Sequence, residues 1–459
     1  FDQDIIGVAF DWDNKKIYFS KNGTWQNSSN PANGTNPAFS SMTDGDYYFY
    51  LMNGAGASNR DQIWEVNFGQ NGTFSGTETS AGNADDNDIG DFLYDVPAGY
   101  LALCTANMTA PVETIDPAQG GSVQDYFNTI IWSGTGSSNA LDVGFQPDFT
   151  WIKRRNGTQS HNLHNSVNGA TKYLISNTNA AEQTDSSILA SFDTNGITVG
   201  DNTWSNASGG TYVAWNWKAG TAFSNDASAT GVGSIDSSGS VNTDVGFSVI
   251  TATTNGDGII TSAAHGLGVT PEMIIMKSRT ATQSWYVYHK NSTATATQGT
   301  LNLDTTDAVN TTNGVSGGVD KWTVSSTTFG AGNAAWNYPT NTGHVFYCFA
   351  SVDGYSKIGS YIGNGNADGM FVYTGFRPAY VMFKRTNATG SWRIMDNKRD
   401  TFNVADARLL ADTSGAETTD RDILDMVSNG FKFRRADAGN NGSGDTYIYM
   451  AFAEQPTKY

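Results

Sequence analysis

The sequence predicts an all-β protein made of tandem antiparallel β-sandwich modules, of the jelly-roll or concanavalin/lectin-like kind. Charged residues make up only 15% of 459 positions, while Gly (51), Asn, Ser and Thr are abundant, so the bias of long helices is missing. Aromatics reach 12%, which suits pleated, half-buried surfaces. One apolar segment also occurs three times, as Gly144–Lys153, Gly268–Lys277 and Gly375–Lys384.

Each copy carries a Pro (Pro147, Pro271, Pro378), a Lys six positions later (Lys153, Lys277, Lys384) and a Ser thirteen positions later (Ser160, Ser284, Ser391). Pro lacks an N–H and pushes the preceding residue to an extended conformation, so it belongs at the start of a strand. The apolar run that follows, as in Tyr380 to Phe383, suits a short strand covered on both faces. The Lys is expected to close the run at the solvent edge. Nothing in the segment is catalytic.

The chain length predicts about three or four domains. Residues 1–110 hold short strands at Ile6–Asp11 and Lys16–Phe19, a turn at Asp13-Asn14-Lys15 and a tight Asn22-Gly23 turn before Trp25. Further strands are expected at Tyr47–Leu51 and Trp64–Phe68, with a closing strand at Pro97–Cys104. Residues 111–125 read as a linker and 126–220 as repeat one, closing on Tyr212–Trp217. Residues 221–245 are Ser- and Gly-rich and read as a second linker or extended connection. Repeat two covers 246–365 and closes on Val345–Ala350; repeat three covers 366–459 and closes on Tyr447–Phe452. Repeats one and three share a middle, in which Glu182 matches Glu417.

Net charge is −18 with a pI near 4.5. The clustered Lys and Arg of a nucleic-acid binder are missing, and an anionic membrane surface is an equally poor partner. No run approaches the ~20 apolar residues of a membrane span. Cys104 and Cys348 sit in apolar runs and read as buried thiols, not a disulfide. Phe1 is not a natural start, so sequence upstream is expected and export cannot be judged from this end.

Gly7–Asp11, Ile17–Trp25 and Val66–Gln70 resemble the second half of a SPRY domain, a concanavalin-like sandwich that serves recognition; its first half is missing. Ala264–Pro271, Gly354–Gly365, Phe371–Pro378 and Ser428–Lys432 resemble virion proteins of marine tailed bacteriophages. That resemblance spans nearly the whole chain. It implies a non-enzymatic tail fibre or related appendage, located in the virion, with other virion proteins and a host surface glycan or receptor as partners. It also implies a symmetric homo-oligomer, commonly a trimer. It supplies no catalytic motif and no cofactor.

Several constellations carry candidate chemistry. Trp25 lies beside a long polar loop, and Trp285 and Trp392 each follow the recurrent Ser. An aromatic face beside Asn, Asp and Thr is what a sugar cleft needs, so these three are the candidate glycan-binding residues. The alternative is that the rings cap sandwich cores. The shared repeat offset favours that for Trp285 and Trp392, with His161 at the same place in repeat one. His161 and His164 would point to opposite faces of a strand and cannot chelate one ion there. Asp11–Asn14 and Ala84–Asp88 are oxygen-rich loops of the kind Ca²⁺ takes, but neither meets the EF-hand pattern, and solvated turns are favoured. No metal is expected. No nucleophile elbow or phosphate loop is present. A polysaccharide depolymerase and a purely structural capsid or tail decoration protein are the competing functions.

Overall fold

Pro147, Pro271 and Pro378 occupy equivalent places. Each is buried, and regular pairing with the last strand of the same repeat runs from two residues further on: Phe149 faces Trp217, Met273 faces Phe349 and Tyr380 faces Phe452. The third copy adds a bulge at Pro378, where the missing N–H would otherwise break the ladder. The computed structural model describes residues 4–43, 47, 63–108, 110–311, 320–332 and 339–456. The protein is all-β: its described helical residues are 3₁₀ turns and one α-turn, Ala227–Thr230. The chain divides into two units, Phe1–Ala110 and Pro111–Thr457.

In the first unit β1 (Ile6–Asp11), β2 (Lys16–Lys21) and β3 (Thr24–Trp25) form an antiparallel sheet in that order. The Asn22-Gly23 turn has φ of 48° and 77°, the doubly positive pair that matches strand twist. Of the strand expected at Tyr47–Leu51, only Tyr47 lies within the described residues. Trp64–Phe68 is not a strand. Side chains take the backbone groups a ladder would use: Gln70 donates to the Val66 carbonyl (2.6 Å), and Asn67 Oδ1 accepts from the amides of Gly69 and Asn71. Pro97–Cys104 is also irregular, with the Ala102 amide held by Asp85 (2.8 Å).

The second unit contains three copies of one topology. Repeat one holds β4 (Phe127–Ser133), β5 (Asn139–Asp142), β6 (Phe149–Arg154), β7 (Asn162–Asn165), β8 (Lys172–Tyr173), β9 (Gln183–Thr184), β10 (Leu189–Asp193), β11 (Gly196–Val199) and β12 (Thr211–Trp217). Repeat two holds β13 (Thr221–Asn225), β14 (Ser237–Asn242), β15 (Phe247–Thr253), β16 (Ile260–Ala264), β17 (Met273–Ser278), β18 (Tyr286–His289), β19 (Leu301–Asn302), β20 (Trp322–Val324), β21 (Thr328–Ala331) and β22 (Gly343–Phe349). Repeat three holds β23 (Ser356–Ile362), β24 (Phe371–Tyr373), β25 (Phe376–Arg385), β26 (Arg393–Asp396), β27 (Leu409–Leu410), β28 (Leu424–Val427), β29 (Gly430–Phe433) and β30 (Thr446–Pro456).

The main sheets run β4-β12-β6-β7, β15-β22-β17-β18 and β23-β30-β25-β26; the small sheets run β5-β11-β10, β16-β21-β20 and β24-β29-β28. In each repeat the closing strand (β12, β22, β30) lies between the proline strand (β6, β17, β25) and the strand β4, β15 or β23. Its residues are buried on both faces, as a continuous apolar run requires. In repeat two one face, with Tyr347 and Phe349, enters a core shared by all three repeats, while Phe346 and Cys348 meet the small sheet. At the shared centre Trp217, Phe349 and Phe452, three equivalent residues, form a triangle of rings with centroids 5.6–6.3 Å apart.

Three boundaries differ from the sequence expectation. Residues 111–125 are no linker: Ile115 and Val123 are buried in the shared core. Nor are residues 221–245, which form β13 and β14 and extend the main sheet of repeat two through β15. Main-chain pairing makes these strands, so Ser and Gly suffice. Finally β23 pairs with β30, so repeat three begins at Ser356, inside the stretch assigned to repeat two.

Candidate functional site

The three repeats close on one another as a ring, and the recurrent residues lie at its seams. Trp285 of repeat two donates its indole N–H to the Ile175 carbonyl of repeat one (2.8 Å); Trp392 of repeat three donates to the Asn302 carbonyl of repeat two (2.8 Å). His161 of repeat one does the same to the Leu410 carbonyl of repeat three through Nε2 (3.0 Å). The main chain repeats the pattern: the amides of Glu182, Val309 and Glu417 donate to the carbonyls of Arg279, Thr386 and Arg155 at 2.8–2.9 Å. A shared offset thus encodes a shared seam contact.

The lysines expected at the solvent edge are fully buried instead, because the neighbouring repeat covers the strand end. Lys277 donates to the Asn179 and Ser278 carbonyls, and Lys384 to those of Thr306, Asp307 and Arg385. Lys153 donates to Arg154 and Gly157. Burial lowers all three to about 8. Ser284 and Ser391 bond Asp304 and Asp412, whose carboxylates also take the amides of Trp285 and Trp392; Asn177 serves Ser160 and His161 in repeat one. Burial, the largest influence, raises both Asp residues.

The recurrent glutamates are seam residues too. Glu182 pairs with Arg279 (2.9 Å). Glu417 pairs with Arg155 (2.7 Å) and with Arg399 (2.9 Å), whose side chain has no exposed surface. Arg399 also binds Asp396 (2.6 Å), and Asp396 accepts the Trp215 indole N–H (2.9 Å). The chain Trp215–Asp396–Arg399–Glu417–Arg155 therefore runs outward from the core along the seam of repeats three and one.

Trp285 and Trp392 are consequently not sugar platforms: they are 0% and 1% exposed, with their N–H groups spent inside the protein. Trp25 is half-buried at the edge strand of the first unit, opposite Ser20. His161 and His164 are buried and their ring nitrogens are bound to protein groups. In the Ala84–Asp88 loop the Asp85 carboxylate accepts from Ala102, Ile89, Asn87 and Asn107, and these hydrogen bonds, outweighing burial, lower it to about 2. Cys348 is buried, its thiol pushed up to about 12, and Cys104 is half-buried.

An exposed aromatic cluster lies elsewhere, in the first unit. Phe10, Trp12 and Tyr47 touch one another with centroids 5.6–6.1 Å apart, and are 37%, 38% and 47% exposed. Ile6 and Val8 continue the same face of β1, and Ile17 and Phe19 stand opposite Phe10 and Val8 on β2. Lys15 lies over one face of the Trp12 ring, 3.6 Å from its centroid. Thr43 supplies polar atoms alongside, its carbonyl accepting the Tyr47 hydroxyl (2.8 Å). The alternation Val8-x-Phe10-x-Trp12 was the signal for this face, masked by reading Asp11–Asn14 as an acidic turn.

A family profile described as "Domain of unknown function (DUF7483)" matches residues 122–456. The chain belongs to this family. No curated protein and no solved structure matches it. The DUF7483 match begins at Ser122, whose hydroxyl caps the turn leading into β4, and ends at Pro456, the last residue of β30. The family unit is thus the whole three-repeat ring.

Proposed function

We propose that this protein is a non-enzymatic virion appendage of a tailed bacteriophage, and that it attaches to host-surface glycan through the first unit. The observation that carries the attachment reading is the Phe10–Trp12–Tyr47 cluster. Large rings that stay in water beside hydroxyl and ammonium groups, here those of Tyr47, Thr43 and Lys15, are the chemistry of a sugar platform. The DUF7483 ring supplies the support: its buried Ser, Asp, Lys, Arg and His side chains at the seams are engaged in holding repeats together. The resemblance to marine phage virion proteins supplies the biological setting, and many copies on one particle would raise weak binding by avidity.

The test is adsorption. Soluble protein added before phage should reduce attachment to the host, and a Trp12→Ala/Tyr47→Ala variant of the same thermal stability should not. Equal blocking by both would discard the aromatic site, and no blocking by either would discard attachment. Incubation with host polysaccharide addresses the depolymerase alternative: no new reducing ends or unsaturated sugars are expected.

A further inference from the structure

Charge is unevenly placed along the chain. Residues 356–456, the third repeat, contain 12 of the 26 basic and 12 of the 44 acidic residues, so the remainder carries the whole −18. Within that repeat four arginines converge on two carboxylates. Asp437 forms ion pairs with Arg393 (3.3 Å), Arg435 (3.2 Å) and Arg421 (3.8 Å), and Asp420 with Arg421 (3.2 Å) and Arg408 (3.8 Å). Asp437 is further committed to the Gly439 amide and the Asn440 side chain. Arg393 and Arg408 stand side by side, since Arg393 pairs with Leu410 and Arg408 lies two residues before it on the same face. The Nε atoms of both are shielded and unpartnered. Arg421 and Arg435 carry the group to the surface, at 40% and 44% side-chain exposure.

Four guanidiniums on two carboxylates leave a local excess of two positive charges, and the half-exposed planar forks of Arg421 and Arg435 present donors suited to oxyanions. We infer that this arginine cluster is a binding site for the anionic groups, sulfate, phosphate or carboxylate, of a polysaccharide. For the source of that polysaccharide the inference rests on the attachment reading. A stiff duplex is disfavoured because the rest of the chain repels a continuous phosphate backbone, whereas a flexible acidic glycan can meet one local patch.

Full-length protein titrated with dextran sulfate, neutral dextran of equal length and duplex DNA tests this. Dextran sulfate should bind, neutral dextran should not, and DNA should bind more weakly. Arg421→Ala and Arg435→Ala should each weaken dextran sulfate binding about tenfold, while Lys172→Ala leaves it unchanged. Arg421→Lys and Arg435→Lys, which keep the charge, cover the case in which an alanine variant loses stability, and should still bind more weakly than wild type. Equal binding to both dextrans, no effect of the arginine variants, or tighter binding to DNA would overturn the inference. Loss of adsorption blocking with dextran sulfate binding intact would count against attachment alone. Failure on dextran sulfate with blocking intact would count against the anion site alone.

Discussion

Trp151 donates its indole N–H to His161 Nδ1 at 2.9 Å, both residues being buried. An indole only donates, so Nδ1 must accept and the proton must sit on Nε2, which is therefore the donor to Leu410. His161 thereby reproduces the seam bond that Trp285 and Trp392 make with their own N–H groups. The volumes trade as well: repeat one pairs Trp151 with His161, where repeat two has Ile275 with Trp285 and repeat three Met382 with Trp392.

That trade predicts strong coupling. His161→Trp alone overpacks the site and should cost about 1–3 kcal/mol. Trp151→Ile alone opens a cavity and strands Nδ1, for about 3 kcal/mol or more. The double variant recreates the repeat-two pair and should recover well over 1 kcal/mol of the summed loss. Denaturant unfolding of all four proteins checks it; additive costs would mean that the two sites are independent.

The five histidines predict acid sensitivity. His161, His164, His265, His289 and His344 are all lowered, with burial the largest cause in each: His164 and His344 to about 4, His289 to about 3. Below the ordinary value near 6.5 the unfolded chain binds protons that the folded chain refuses. Their contribution is thus whole above about pH 7 and declines as pH falls from 6.5 toward the folded values. Urea midpoints at pH 7.5, 6 and 5 should fall in that order, and His164→Gln should flatten the slope.

The buried lysines predict the opposite of the usual alkaline loss. Lys153, Lys277, Lys321 and Lys384 are lowered by burial to about 8 from 10.5. Between pH 8 and 10.5 the unfolded chain keeps protons the folded chain has released, so stability should rise with pH across that window. The urea midpoint at pH 9.5 should exceed that at pH 7.5, and Lys277→Met with Lys384→Met should reduce the gain. A midpoint that falls over this range would show the amines are charged and well solvated.

What the sequence revealed and what it hid divide along contact distance. The proline starts, the doubly covered strands and the Asn22-Gly23 turn are local, and local chemistry displays them. The fate of Lys277 depends on Asn179, 98 residues away, so its ordinary role as a solvent-edge residue could not be revised from the segment itself. The same distance hid Trp285 and Glu417, whose repeat offsets were visible while their partners across the seam were not. β13 and β14 were hidden for another reason: main-chain pairing asks little of Ser and Gly side chains. Trp12 was legible in its period-two pattern but stood inside a stretch whose carboxylates drew the reading toward a solvated turn.

The seam of repeats three and one differs from the other two, because adjoining chain joins repeats one to two and two to three, while only contacts hold three to one. Its charge chain should therefore matter most. Glu417 lies between Arg155 and the fully buried Arg399; burial opposes its charge, but the hydrogen bond from Arg155 and the charge of Arg399 outweigh that and hold it below the usual carboxylate range. Glu182 meets one partly exposed guanidinium, Arg279, and the amide of Asn168. Glu182 and Glu417 are equally buried at 9% side-chain exposure, but only Glu417 neutralises a fully buried guanidinium, and leaving such a charge unpaired typically costs about 3–5 kcal/mol. Glu417→Gln should thus lower stability by at least about 2 kcal/mol more than Glu182→Gln, read from urea unfolding at pH 7. Arg399→Met with Asp396→Leu and Glu417→Gln, which removes the buried charges together, should recover part of the loss. If Glu182→Gln proves the costlier change, the closing seam is held by the His161 and Ser176 bonds and the shared core, and not by its charges.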